Sequence, residues 1–128
     1  MGKIALNPPS AYPSKNPRAC GTKRGSFVFT AGQVAFDRSG SLVGRGDIRA
    51  QTRQAILNVK AILEEGGATL ADVMKTTVFL ARNEDKDGMN QVYAEFFGAD
   101  PPARTAVVAG LSSPDILVEI EAVAVVGD

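Results

Sequence analysis

The last apolar run of the chain, Leu117-Val118-Glu119-Ile120-Glu121-Ala122-Val123-Ala124-Val125-Val126, limits the possible folds more than any other segment. It reads as a strand, in which alternate side chains point to opposite faces of a sheet. Leu117, Glu119, Glu121, Val123 and Val125 share one face; Val118, Ile120, Ala122, Ala124 and Val126 share the other. Both faces are largely apolar, so both need cover, and large uncovered apolar patches mark partner surfaces. The rest of the chain supplies only two substantial helices, enough for one face. The second face, with its two glutamates, is therefore expected to meet another subunit.

The remaining elements follow from local patterns. Ser26–Ala31 reads as a strand, and Gly32 after it permits a close approach by a backbone or a ligand. Gln33–Phe36 and Ser41–Val43 flank the turn Asp37-Arg38-Ser39-Gly40, a hairpin pattern. Asp47 is placed to cap a helix whose apolar stripe is Thr52, Ala55, Ile56, Val59, Ile62 and Leu63, and Gly66-Gly67 ends it. Arg49, Arg53, Lys60 and Glu64 lie off the stripe as a solvated face. Thr69–Asp72 is a short turn. Val73–Leu80 is a strand, with Met74, Thr76, Val78 and Leu80 on one side. Asn83–Asp87 opens a second helix with the stripe Met89, Val92, Tyr93 and Phe96, closed by Gly98. Arg104–Ala109 and Leu117–Val126 complete the order ββ-α-β-α-ββ. This predicts one α+β domain over residues 1–128, one layer of sheet and one of helices. Residues 1–25, rich in Pro, Gly, Ser and Lys, read as an irregular arm with one short strand near Arg18–Gly21.

The inventory of side chains prunes the chemistry. Lys+Arg and Asp+Glu number 14 each, so no basic excess points to nucleic acid. No apolar run approaches the roughly 20 residues that span a bilayer, and the N-terminal residues lack a signal-peptide core. A cytoplasmic protein without membrane or nucleic-acid partners is expected. The chain contains no histidine and one cysteine, which removes histidine-based nucleophilic systems and the usual zinc sites. Cys20 cannot form an intramolecular disulfide, in keeping with a reducing compartment. Acid–base work must fall to carboxylates, lysines, tyrosines, backbone groups or water.

Two charged positions stand out. Arg104 opens an apolar strand after Pro101-Pro102-Ala103, and Glu119 lies inside another. Such charges are costly unless paired or used. A guanidinium at a pocket mouth can grip a carboxylate through two hydrogen bonds, with a glutamate nearby to handle water or a proton. A plain ion pair closing a sheet or a subunit contact accounts for them equally well. Asn90, just off the second helical stripe, reads first as a surface or capping amide.

Several segments together resemble the Rid family of reactive intermediate deaminases (YjgF type). They are Phe29-Thr30-Ala31-Gly32-Gln33, Gln54 to Glu64, Val73 to Leu80, Asn90 with Tyr93 and Phe96-Phe97, Pro102-Ala103-Arg104-Thr105, and Val118-Glu119-Ile120-Glu121-Ala122. The resemblance runs from about Phe27 to Val126. It implies a chorismate-mutase-like fold, about six strands in a mixed sheet with two helices on one face, and a homotrimer with sites between subunits. It also implies cofactor-free hydrolysis of enamines or imines to 2-oxo acids and ammonia. Carried over residue by residue, Arg104 binds the substrate carboxylate and Glu119 positions or activates water. Ala31 and Gly32 line the site with backbone groups, Asn90 becomes a pocket amide, and Ala106 takes a position that is cysteine or alanine in the family. One departure concerns the Gly-Pro-Tyr element that usually brings a tyrosine into the pocket. Here Asn16-Pro17-Arg18-Ala19-Cys20 stands in that place; Arg18 near Arg104 would favour a substrate with two anionic groups, such as a dicarboxylic, aminomuconate-like one, and the alternative is an Arg18 that points to solvent and leaves the pocket merely open. The alternatives are a non-catalytic trimer that binds a small acid or a partner, and an endoribonuclease or translation inhibitor.

Overall fold

In the computed structural model, which describes residues 2–127, the two-sided strand lies at the middle of the sheet. The strands are β1 (Ile4–Leu6), β2 (Gly21–Arg24), β3 (Phe27–Thr30), β4 (Val73–Leu80), β5 (Ala103–Val108) and β6 (Val118–Val125), and the helices α1 (Ile48–Glu65) and α2 (Lys86–Phe97). The sheet order is β1-β2-β3-β6-β4-β5. Only β4 and β5 run parallel; the other pairs are antiparallel. The parallel pair needs a crossover, which α2 supplies. The α+β layering, the mixed six-stranded sheet and the two helices on one face agree with the sequence reading.

Both helices pack on the face formed by Val28 of β3, Val78 and Leu80 of β4, and Val118, Ile120, Ala122 and Ala124 of β6, all buried. The α1 stripe from Thr52 to Leu63 is buried throughout. Asp47 caps α1 by accepting from the Ala50 N–H at 3.1 Å, and Gly67 after it adopts φ +81°, a conformation that glycine takes without strain. Arg49 and Arg53 reach across to Gln91 and Glu95 of α2 and tie the two helices together on their solvent side. Gln51, fully buried and not anticipated, donates to the Gly44 and Asp115 carbonyls and accepts from the Leu117 N–H. Its amide stitches two loops onto α1, a good use of a buried polar group.

Among the described residues, no layer covers the opposite face. Phe27 and Phe29 of β3 stack there with ring centroids 6.5 Å apart, and Phe27 is 51% exposed. All six residues of β5 are exposed.

Four local expectations are corrected. The arm is not irregular throughout: Ile4–Leu6 forms β1, and the strand expected near Arg18–Gly21 is displaced to Gly21–Arg24, where it pairs with β3. Met74 does not join the inner side of β4. The pairing with β6 shifts register between Val73 and Lys75, so Val73 turns inward and Met74 is 62% exposed. Asn83–Asp85 forms a separate 3₁₀ turn, and α2 begins at Lys86. The hairpin around Asp37–Gly40 closes with the single bridge Phe36–Leu42, because the Asp37 carboxylate gathers the Ser39 and Ser41 N–H groups into a tight turn.

Among the described residues, no helix is long and apolar enough to cross a membrane.

Candidate functional site

The site begins with an irregularity in the β3–β6 ladder. Phe29 pairs with Val123, and the next bridge joins Gln33 to Ile120. Thr30, Ala31 and Gly32 therefore stand opposite only Glu121 and Ala122, a bulge that carries one extra residue. Its unmatched groups are satisfied locally. The Thr30 hydroxyl accepts from the Ala122 N–H at 3.0 Å, and the Ala31 N–H donates to the Cys20 carbonyl at 2.8 Å. Gln33 and Ile120 then exchange two backbone bonds of 2.8 and 2.9 Å. This bridge fixes the backbone beside Glu119.

Gly32 serves a purpose that its sequence position only hinted at. A Cβ at residue 32 would stand 2.8 Å from Glu119 Cδ and overlap its carboxylate oxygen. The missing side chain is the space that Glu119 fills. The segment beyond is pinned from α1: Asn58 Nδ2 donates to the Val34 and Phe36 carbonyls at 2.9 Å each, while its Oδ1 accepts from Gln54.

Around Glu119 these elements enclose a cavity of about 140 Å³, walled by Arg18, Cys20, Gly32, Gln33 and Asn58, with Ser112 from the β5–β6 loop. Burial raises the Glu119 pKa above its ordinary value; the Glu121 carboxylate adds to the rise, and Arg18 opposes it. The site thus contains a carboxylate with raised proton affinity, a guanidinium within electrostatic reach, and a backbone wall.

Arg104 lies elsewhere. In β5 it is paired in register with Thr76, on the helix side of β4. Its guanidinium sits 4.8 Å from the centroid of the Tyr93 ring, a cation–π contact. Tyr93 is held by a 2.6 Å hydrogen bond with the Thr76 hydroxyl. Glu119 is paired with Phe79, on the uncovered side of β4. Within one chain the two charges therefore occupy opposite faces with β4 between them. Ala106 shares the Arg104 side of β5, in register with Val78. Asn90 stands one helical turn before Tyr93, and its Oδ1 is buried without a hydrogen-bond partner.

The predicted residues thus form two groups: Arg18, Ala31, Gly32 and Glu119 at the bulge, and Asn90, Arg104 and Ala106 along β5 and α2. Sequence reasoning missed the wall residues Cys20, Gln33, Asn58 and Ser112. It also passed over the pairing of Tyr93 with Thr76 beneath Arg104. Gln33 and Asn58 lie in segments that carry the family resemblance, but no local pattern marks them, Cys20 or Ser112 as wall residues. Among the described residues, no group of three His, Cys, Asp or Glu side chains is placed to hold a metal ion.

A mixed sheet of this order, with both helices on one face, defines a chorismate-mutase-like α+β protein. The family model described as Endoribonuclease L-PSP matches residues 10–126, so the chain belongs to that family, the YjgF/RutC/Rid group that its sequence resembles. A RutC family protein of Pyrococcus abyssi is 46% identical over 124 residues, covering 97% of this chain and 98% of the relative. The YjgF gene product of E. coli superposes with a TM-score of 0.88 at 33% identity, covering 95% of this chain and 98% of that one. E. coli TdcF, solved with bound serine, gives a TM-score of 0.89 at 32% identity, covering 97% and 99%.

The fit of Glu119 against Gly32 makes a direct prediction. Gly32→Ala should displace the carboxylate, because the new methyl group claims its place. Overpacking of this kind costs about 1–3 kcal/mol. Thermal melting and ligand titration check it; an unchanged melting temperature together with unchanged affinity for small acids would contradict the contact.

Proposed function

We propose that the protein hydrolyses reactive enamine and imine intermediates to 2-oxo acids and ammonia. The observation that carries this reading is Glu119: a half-buried carboxylate of raised proton affinity, set beside a fixed backbone wall in a small cavity. Family membership supports it.

The two groups of residues combine when copies of the chain assemble as a trimer. The uncovered sheet face and the exposed β5 strand support such an assembly. Arg104 of one copy then faces the Glu119 cavity of its neighbour. In that composite site Arg104 grips the substrate carboxylate with its planar fork, already oriented by the Tyr93 ring. The enamine tautomerises to the imine. Glu119 accepts a proton from water as the oxygen bonds to the imine carbon. Glu119 hands that proton to the imine nitrogen, which gives the carbinolamine; it then takes the hydroxyl proton and delivers it to nitrogen as the C=O bond forms and the C–N bond breaks, so ammonia leaves and Glu119 ends as the carboxylate. Orientation of two small reactants supplies much of the rate. Asn90 Oδ1, a buried acceptor without a partner, is available to an N–H group of the substrate or of the neighbouring copy.

The nuclease reading suggested by the family description has less support. RNA affinity leans on a basic surface, and this chain has equal numbers of acidic and basic residues and no histidine.

The test is turnover: 2-aminoacrylate and related imines generated in place by a separate enzyme, with 2-oxo acid release followed against the spontaneous rate. No acceleration with any imino acid would sink the proposal.

The electrostatics add a finer expectation. The acid limb of kcat/KM reports the free enzyme's base. It should lie above the ordinary glutamate value, since burial raises the Glu119 pKa. It should move to lower pH in Glu121→Gln, which removes a neighbouring negative charge, and to higher pH in Arg18→Ala, which removes a positive one. A pH–rate profile of the three proteins is the check; shifts of the opposite sign would remove Glu119 as the titrating group.

A further inference from the structure

Beyond the Glu119 cavity lies a second, larger one that the proposed reaction does not use. It measures about 470 Å³ and opens between the N-terminal arm and the Asp37–Gly40 turn. Arg18 and Cys20 line both cavities, so the two adjoin. The volume falls in the range of small-molecule sites, roughly 300–1,000 Å³.

Its chemistry is one-sided. Arg18 stands on the wall shared with the Glu119 cavity, and Arg38 stands on the turn; among the described residues no carboxylate lines the space. Among the described residues neither guanidinium forms an ion pair. The nearest acid in sequence, Asp37, is occupied by the N–H groups of Ser39 and Ser41 and the Ser39 hydroxyl. Arg38 makes only a long 3.5 Å contact with the Ala11 carbonyl, which leaves most of its donors unused. The opposite wall is stiffened by Pro8, Pro9 and Pro13. It is tied down by the Cys20 N–H, which donates to Asn7 Oδ1 at 3.0 Å. Two unpaired guanidiniums facing a cleft with rigid walls form a receptor for an anion.

We infer that this arm cleft is a second anion subsite, in which Arg18 and Arg38 hold a distal carboxylate or phosphate of a substrate whose first carboxylate lies in the Glu119 cavity. The inference rests on the proposed reaction for the position of that first carboxylate. It assigns the substrate to the class of doubly anionic 2-imino acids, with a chain long enough to pass Arg18.

Equilibrium binding of unreactive acids tests the subsite without any turnover. Calorimetry on the assembled protein would compare the diacids from succinate to pimelate with monoacids of equal length, and with the matching ω-phosphono acids. At the best length, the wild type should favour the doubly charged ligand by about tenfold, the scale of one charge-assisted hydrogen bond. A stronger preference for the phosphono acid would identify phosphate as the distal group, and a stronger preference for the diacid would identify carboxylate. Arg38→Ala should bring the ratio close to one, and Arg38→Lys should leave it in between. Equal affinity for mono- and dianionic ligands in the wild type, a comparison that needs no variant, would overturn the inference. So would a preference that survives Arg38→Ala in a protein with a native circular dichroism spectrum. Because these ligands contain no C=N bond, absent imine turnover with the dianion preference intact would count against the proposed reaction alone.

Discussion

Glu119→Gln is expected to reduce kcat/KM for imine hydrolysis by a factor of about 10²–10⁴, the usual contribution of a positioned general base. The amide has nearly the same shape, so it should sit over Gly32 as the acid does, yet it cannot take a proton from water. Stability should move the other way. Burial raises the Glu119 pKa above 4.5. A raised carboxyl pKa means that the folded chain binds the proton more tightly than the unfolded chain. Its stabilising contribution is therefore full below the ordinary value and is lost as pH rises through the folded value. At neutral pH the wild type holds a carboxylate that the fold disfavours, and glutamine relieves this. The variant should melt no lower than the wild type at neutral pH, with any advantage fading in acid. A variant that kept full turnover would remove Glu119 from the chemistry; one that melted well below the wild type at neutral pH would show that the carboxylate serves the fold.

The second large effect concerns pairs of defective proteins. Arg104→Lys keeps the charge but loses the planar fork, and turnover should fall roughly ten- to a hundredfold, the cost of a lost charge-assisted hydrogen bond felt in the transition state. Mixed with Glu119→Gln, unfolded and refolded together, it should regain activity. In the proposed trimer each site takes Glu119 from one copy and Arg104 from the next. Random assembly of equal amounts then makes about a quarter of the sites intact on both sides. A site within one chain would give only the sum of the two residual activities. Light scattering on the same samples should report a trimer; a folded monomer at micromolar concentration would contradict the assembly and the shared site together.

The sequence made some of this legible and hid the rest for identifiable reasons. The two-sided character of Leu117–Val126 could be read because strand periodicity depends only on neighbouring residues. The Asp47 cap and the α1 stripe are local in the same way. Met74 misled because a register shift between Val73 and Lys75 depends on the partner strand β6. β1 was missed because a three-residue strand survives only through its pairing with β2. Arg104 and Glu119 could each be singled out as charges in apolar strands. Their placement on opposite faces could not, since it follows from the pairing of Arg104 with Thr76 and of Glu119 with Phe79. The cavity wall draws on the arm, the segment after β3, α1 and the β5–β6 loop, four segments brought together only by the finished fold.

The strand order also governs when the molecule can form. β6 comes after the other five described strands in the chain, yet it lies between β3 and β4. Until it emerges, β1–β3 and β4–β5 are two separate ribbons, each with a naked inner edge and half an apolar face. Such edges invite pairing with other chains, and non-local strand pairing is slow. A product of premature termination before Val118 would carry Arg104 and the whole arm but would lack the strand that joins the two halves, together with Glu119. Joining the two halves of the sheet and supplying Glu119, the proposed base, are thus one event, the arrival of the β6 segment, so a chain that stops before it has neither a closed core nor that carboxylate.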